Sequence, residues 1–224
     1  WAPGLPTRAG SGAPTDVASP SSPLLGLDYA AIVLTGGRSS RLGGTPKATL
    51  ASGGRPLVDL VLDTVRDARM RVVVGDGPVP PGVLVTQEKP RYAGPAAAVA
   101  AGLHALRVAE VTSPWTVVLA CDLPGVRDGI PLLLSAATGA EVPDDREGDT
   151  TRDGWCLSED GRLQWLFAIV RTAALARAVD ALGDPSNRSM GALMGSLDLG
   201  GIPAPAAVTA DIDTWEDAHR WLRP

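Results

Sequence analysis

The sequence predicts an α/β fold, a single three-layer α/β/α domain on a mainly parallel sheet. Three observations predict it. Short apolar runs at residues 29–34, 71–75, 82–87 and 116–121 lack the polar alternation of a half-exposed strand, which suits strands buried on both faces. Stretches between them repeat apolar residues at helical spacing. The most chemically loaded segments, residues 36–47 and Asp122, directly follow two of those runs, at the carboxyl ends where such sheets bind ligands.

Residues 1–27, rich in Pro, Gly, Ser, Ala and Thr without periodicity, read as a disordered extension, with the folded domain at 28–224. Tyr29 to Leu34 is the first strand. Pro56 opens a helix whose Leu57, Leu60, Val61, Thr64 and Val65 share a face. Arg71 to Gly75 and Gly82 to Gln87 are the second and third strands. Gly94-Pro95 opens an alanine-rich helix reaching about Arg107, and Thr116 to Cys121 is a fourth strand. A helix follows Pro131 within 127–138. Residues 141–162 are polar, broken by glycines, and read as irregular. Gln164 to Val170 is a strand, Thr172 to Leu182 a helix, and Asn187 to Leu197 a shorter helix. The last helix, Trp215 to Leu222, has Thr214 as its cap and Glu216 and Asp217 suited to its N-terminal dipole.

Composition bounds the function. With 45% apolar residues the 224-residue chain can bury a core, and it has no 18-residue apolar run to cross a membrane. A net charge of −5 argues against a general nucleic-acid binder. Two cysteines are too few for a disulfide framework, so a reducing cytoplasm is the expected location. His104 and His219 lie on helical stretches without a second ligand at metal-binding spacing and read as structural or surface residues.

Residues 34–47 read Leu-Thr-Gly-Gly-Arg-Ser-Ser-Arg-Leu-Gly-Gly-Thr-Pro-Lys. Glycines let backbone amides approach a ligand closely, and successive free N–H groups make a concavity suited to phosphate oxygens. Ser39 and Ser40 add hydroxyl donors, Arg41 a planar fork and Lys47 a point charge. Lys47 is one of only two lysines in the chain. Neither the Walker spacing nor Gly-x-Gly-x-x-Gly is present. Asp122, Asp211 and Asp213 supply carboxylates of the kind Mg²⁺ prefers alongside phosphate oxygens.

The 34–47 stretch resembles the signature of the molybdenum cofactor guanylyltransferase family of the nucleotidyltransferase superfamily. Cys121-Asp122-Leu123-Pro124, Gly94-Pro95-Ala96-Ala97-Ala98 and Asp211-Ile212-Asp213-Thr214-Trp215-Glu216-Asp217 resemble three further segments of that family. The resemblance implies a Rossmann-like sheet of the nucleotide-diphospho-sugar transferase type. It implies transfer of GMP from GTP to the phosphate of molybdopterin cofactor, with Mg²⁺ and release of pyrophosphate. Leu34, Thr35, Gly36, Gly37, Ser39, Arg41, Lys47, Gly94, Pro95 and Asp122 would bind the nucleotide. Arg41, Lys47 and Asp122 would be catalytic. Asp122 and Asp213 would hold the metal, with Asp211 behind them. Gln164 and Arg188 would meet the acceptor, and proteins that supply or receive the cofactor would be transient partners.

The chain departs from the family pattern at Trp215, which replaces a proline, and at Gln164-Trp165, where His-Pro is frequent. Residues 187–191 match the family's Arg-Ser-x-Arg only partly. The same scaffold also suits CTP or another nucleotide with a different phosphorylated acceptor, such as a sugar 1-phosphate or small phospho-acid, or a nucleotide-binding protein without turnover.

Overall fold

The computed structural model describes residues 26–36, 47–77, 79–139 and 152–222. Most of the expected N-terminal extension, and Gly37, Ser39 and Arg41 of the glycine-rich loop, lie outside the described residues. So does the first half of the polar stretch 141–162.

Strand β1 (Tyr29–Leu34) is buried along its whole length and is an interior strand, third of seven in the sheet. On one side it pairs in parallel with β4 (Arg71–Val74), which pairs with β5 (Leu84–Thr86). On the other it pairs in parallel with β6 (Trp115–Ala120). Beyond β6 lie β8 (Arg162–Arg171), antiparallel to it, then β7 (Gly154–Glu159) and β9 (Leu199–Pro203). A small hairpin, β2 (Ala51–Ser52) with β3 (Arg55–Pro56), stands apart. The mainly parallel α/β/α arrangement predicted from the sequence is what forms.

Alternation along β1 feeds two cores. Tyr29, Ala31 and Val33 pack with helices α1 (Leu57–Thr64) and α3 (Val126–Ala137). Ala30, Ile32 and Leu34 face α2 (Pro95–Val108), α4 (Thr172–Leu182) and α5 (Met190–Met194). A third, smaller cluster joins Leu50 and Leu57 to Ile212 and to Ala218 of the last helix, α7 (Trp215–Trp221). It fastens the carboxyl-terminal segment onto the turn that begins at Lys47. Short α6 (Ala206–Thr209) links β9 to that segment.

Several local expectations change. Part of the stretch read as irregular is strand β7. Gly154, which reads as a breaker, is required there, because a Cβ would collide with the Ile169 carbonyl across the ladder. β9 was hidden behind Gly200-Gly201 and Pro203, residues tolerated at a sheet edge. Helix α3 begins at Val126, before Pro131, and carries that proline inside it. The helix expected over 187–197 contracts to Met190–Met194, capped by Ser189, whose Oγ accepts from Ala192 N–H at 3.1 Å. At α7 the expected cap forms as a full capping box between Thr214 and Asp217.

Helix α3 approaches the sheet closely at Gly129. A methyl group there would collide with the Phe167 ring and lie 2.8 Å from Leu157 Cδ1. Gly129→Ala is expected to overpack this contact and cost about 1–3 kcal/mol. The check is the urea midpoint at constant m value; an unchanged midpoint would mean the helix shifts freely.

Candidate active site

The carboxyl ends of β1 and β6 lie side by side, since Leu34 pairs with Ala120 and Cys121 N–H donates to the Leu34 carbonyl at 3.0 Å. Thr35-Gly36 and Asp122 therefore leave the sheet next to each other. Thr35 is held from the other side, its N–H and hydroxyl both donating to Val74 O at 3.0 and 3.2 Å. Gly75 makes this possible. Its φ is +122°, and a Cβ would lie 2.6 Å from Thr35 Oγ1 and 2.8 Å from Gly36 N. Only glycine lets the strand end pass beneath the loop that follows β1.

Asp213 arrives from the far end of the chain. Ile212 is fully buried in the third cluster, and its N–H donates to the Asp122 carbonyl at 3.1 Å. With Ile212 fixed as a plug, Asp211 and Asp213 flank it at the cavity. The Lys47 ammonium then donates to Asp122 Oδ2 at 2.6 Å and to Asp213 Oδ1 at 2.5 Å. Burial alone would lower the pKa of Lys47, but the Asp122 and Asp213 carboxylates outweigh it and hold the pKa above the ordinary lysine value. Partial withdrawal from water, then the charges of Asp213 and Asp122, raise the pKa of Asp211.

Lys47, Asp122, Asp211 and Asp213 line a cavity of about 830 Å³ with Leu34, Gly36, Gly94, Pro95 and Gln164. Of the described residues singled out from sequence, Thr35 and Arg188 do not line the cavity; Thr35 is buried against Val74, and the carbonyl of the exposed Arg188 sits over Gly94. His104 and His219 are exposed and away from the cavity, and both cysteines are free and buried.

Sequence reasoning missed Glu88. It is 6% exposed and borders the cavity, and its Oε1 accepts from Tyr92 N–H at 2.9 Å. Its Oε2 is buried with no partner among the described residues. A buried carboxylate oxygen left unpaired is costly and calls for a ligand that donates to it. Gln87-Glu88 just past an apolar run was the only signal.

The donor set can be tested for a metal. Among the described residues no three His, Cys, Asp or Glu side chains converge on one point. Two carboxylates do converge on a cation, the Lys47 ammonium. Such a pair suits Mg²⁺, which takes its remaining ligands from phosphate oxygens and water.

A family model described as MobA-like NTP transferase domain matches residues 31–198. The chain belongs to this family. As a MobA-like NTP transferase it is a nucleotidyltransferase. The molybdenum cofactor guanylyltransferase of Pseudomonas aeruginosa (strain LESB58) is 29% identical over 154 residues, covering 63% of this chain and 67% of that one. That of Cupriavidus necator is 30% identical over 162 residues, covering 66% and 73%. Among solved structures, molybdopterin-guanine dinucleotide biosynthesis protein A from Archaeoglobus fulgidus aligns with a TM-score of 0.61 at 18% identity, over 86% of this chain and 96% of that one. The 2-C-methyl-D-erythritol 4-phosphate cytidylyltransferase of Thermus thermophilus aligns with 0.56 at 18% identity, over 87% and 97%. These two structural likenesses concern the fold of the MobA-like domain. No described helix is long and apolar enough to cross a membrane.

Because the pKa of Lys47 is raised in the folded state, its stabilisation is fully present below the ordinary value of 10.5 and is lost as pH rises through the folded value. Urea unfolding of wild type and Lys47→Met should therefore differ by a constant amount across neutral pH and converge only in strong alkali. Coinciding curves at pH 7 would show that the bridge contributes nothing.

Proposed function

We propose that residues 28–224 form one catalytic domain that transfers GMP from GTP to the phosphate of molybdopterin cofactor and releases pyrophosphate. Family membership and the names of the relatives support the reaction class and the acceptor. The observation that carries the choice of base is Glu88. An ionised carboxylate only accepts hydrogen bonds. Guanine offers two adjacent donors on one edge, N1–H and the 2-amino group. Adenine, cytosine and uracil each interrupt that edge with an acceptor. Glu88 Oε2 has no partner among the described residues, and Oε1 retains a lone pair beside its bond from Tyr92. A bidentate match with guanine satisfies both oxygens, and any other base leaves an acceptor facing a carboxylate.

The nucleotide then lies with its base toward Glu88 and its phosphates along Gly36, Gly37, Ser39 and Arg41. Leu34, Thr35, Gly94 and Pro95 border it. Arg41 and the loop amides hold the leaving phosphates, and Lys47 neutralises charge on the α-phosphate. Asp122 and Asp213 would hold Mg²⁺, with Asp211 behind them. When bound, the metal supplies charge neutralisation that lets the acceptor phosphate approach the nucleotide. An acceptor phosphate oxygen attacks the α-phosphorus in line, and pyrophosphate departs. That oxygen is already ionised at neutral pH, so no general base is needed, which agrees with the absence of a histidine from the described cavity wall. Lys47 bridges Asp122 and Asp213; with that pair holding the metal, its ammonium would turn to the phosphate oxygens. Gln164 stands on the acceptor side. The exposed Arg188 can reach an acceptor only if its side chain swings from its present position.

Because the fold also occurs in a cytidylyltransferase, the test compares bases. Binding of GTP, CTP, ATP and UTP with Mg²⁺ is measured by thermal stabilisation, which reports affinity for the folded state. GTP should lead by about 1–3 kcal/mol, the discrimination typical of a bidentate base contact. Glu88→Gln should flatten the ranking while the protein stays folded. CTP leading in wild type, or an unchanged GTP preference in Glu88→Gln, would overturn the assignment.

A further inference from the structure

Strands β7 and β8 do not pair evenly. Cys156 pairs with Ala168, and the next pairing is Ser158 with Leu163. One residue, Leu157, separates these positions on β7, whereas four, Gln164 to Phe167, separate them on β8. β8 therefore carries surplus chain, and it carries it beyond the carboxyl edge of β6, whose last pairing with β8 is Leu119 with Phe167. A bulge of this kind re-aims side chains and is common beside active sites. Here Arg162, Gln164 and Trp165 line the same cavity as Asp122 and Asp213.

The three side chains share an unusual state. Among the described residues none of them has a hydrogen-bond or ion-pair partner. Arg162 is an exposed guanidinium of a cavity whose other charged lining residues are Lys47, Glu88, Asp122, Asp211 and Asp213. Trp165 is half-buried, packed in part against the α2/α4/α5 core. Its indole nitrogen lies beside Gly191, 3.9 Å from where a Cβ would stand. Trp165 thus borders the cavity as well as the core. Gln164-Trp165 is also where the chain departs from the family's frequent His-Pro.

We propose that the β8 bulge is the acceptor-selecting element, with Trp165 as a stacking wall for a planar heteroaromatic ring and Arg162 as the clamp for that molecule's phosphate. The inference rests on the nucleotidyltransferase reading and specifies which acceptors the site takes. An indole offers a flat, polarisable face with an N–H at its edge. A guanidinium matches a phosphate with two parallel donors. Gln164 Oε1 and Nε2 can read the edge of a ring stacked on its neighbour. A pterin carrying a phosphate fits these groups, and a sugar phosphate, lacking a flat π-face, leaves Trp165 without a role. Arg162 and Trp165 act as positioning residues, holding the phosphate toward the Asp122–Asp213 pair.

The test uses the full chain with Mg²⁺ and a GTP analogue whose α–β bridging oxygen is methylene, so that no turnover occurs. The probes are 6-(hydroxymethyl)pterin monophosphate, the same pterin without phosphate, and a sugar 1-phosphate, each followed by calorimetry and by pterin fluorescence. Wild type should bind the pterin phosphate and not the sugar phosphate. Trp165→Leu should weaken both pterins by at least about fivefold, the usual scale of base–aromatic stacking, and Trp165→Phe should restore most of the loss. Arg162→Gln should weaken the phosphorylated pterin by about tenfold or more, as expected for a charged hydrogen bond, and leave the phosphate-free pterin unchanged. The GTP analogue should bind every variant as it binds wild type. If Trp165→Leu loses the analogue too, Trp165→Phe and Arg162→Gln decide. Equal pterin binding by wild type, Trp165→Leu and Arg162→Gln overturns the proposal, as does analogue binding without pterin binding in wild type. Failure of wild type to bind the analogue overturns the nucleotidyltransferase reading instead.

Discussion

The Lys47 ammonium holds two carboxylates that would otherwise repel. Their oxygens lie 2.6 and 2.5 Å from one nitrogen, hence at most about 5 Å apart. At an effective dielectric of about 20, that repulsion is about 3 kcal/mol, whereas each attraction to the lysine is about 6. Attraction wins before desolvation is counted, and the partial exposure of Asp213 reduces all three figures. The bridge joins positions separated by 75 and 166 residues, so it ties three remote parts of the chain to the edge of one sheet.

That bridge depends on two apolar constraints. β1 is buried on both faces, which places the end of β6 beside its own carboxyl end and brings Asp122 next to Gly36. Ile212 is buried against Leu50 and Leu57, which brings the carboxyl-terminal segment over Lys47. Burying one isoleucine side chain is worth about 1.5–3 kcal/mol, comparable with the electrostatic balance it positions. Packing thus decides where the charges meet, and the charges decide what can bind there.

The same cavity has two chemically different halves. One is built from the β1, β4 and β5 ends, with Gly36 and Glu88. The other is built from the overhanging start of β8, with an indole and a guanidinium. Asp122 and Asp213 line the same cavity, and in the proposed reaction two phosphates would meet there. A transferase that joins a nucleotide to a second phosphorylated molecule needs this division, because positioning carries the rate when neither reacting group requires deprotonation.

Sequence alone determined the elements whose signal is local. The apolar run of β1, the alanine-rich α2 and the Thr214 cap needed only neighbouring residues to declare themselves. Spacing and residue type were also enough to single out Lys47, Asp122 and Asp213. β7 and β9 escaped because Gly154, Gly200 and Gly201 look like breakers until the close approach of another strand explains them. Glu88 escaped because an isolated acid after a strand is indistinguishable from a solvated one; only burial with an unpaired oxygen sets it apart. Trp165 was visible as a departure, but its role depends on a register break between two strands, which is a property of their pairing. Local preference is written in consecutive residues, whereas burial, pairing and charge proximity arise between residues far apart, and those decided the site.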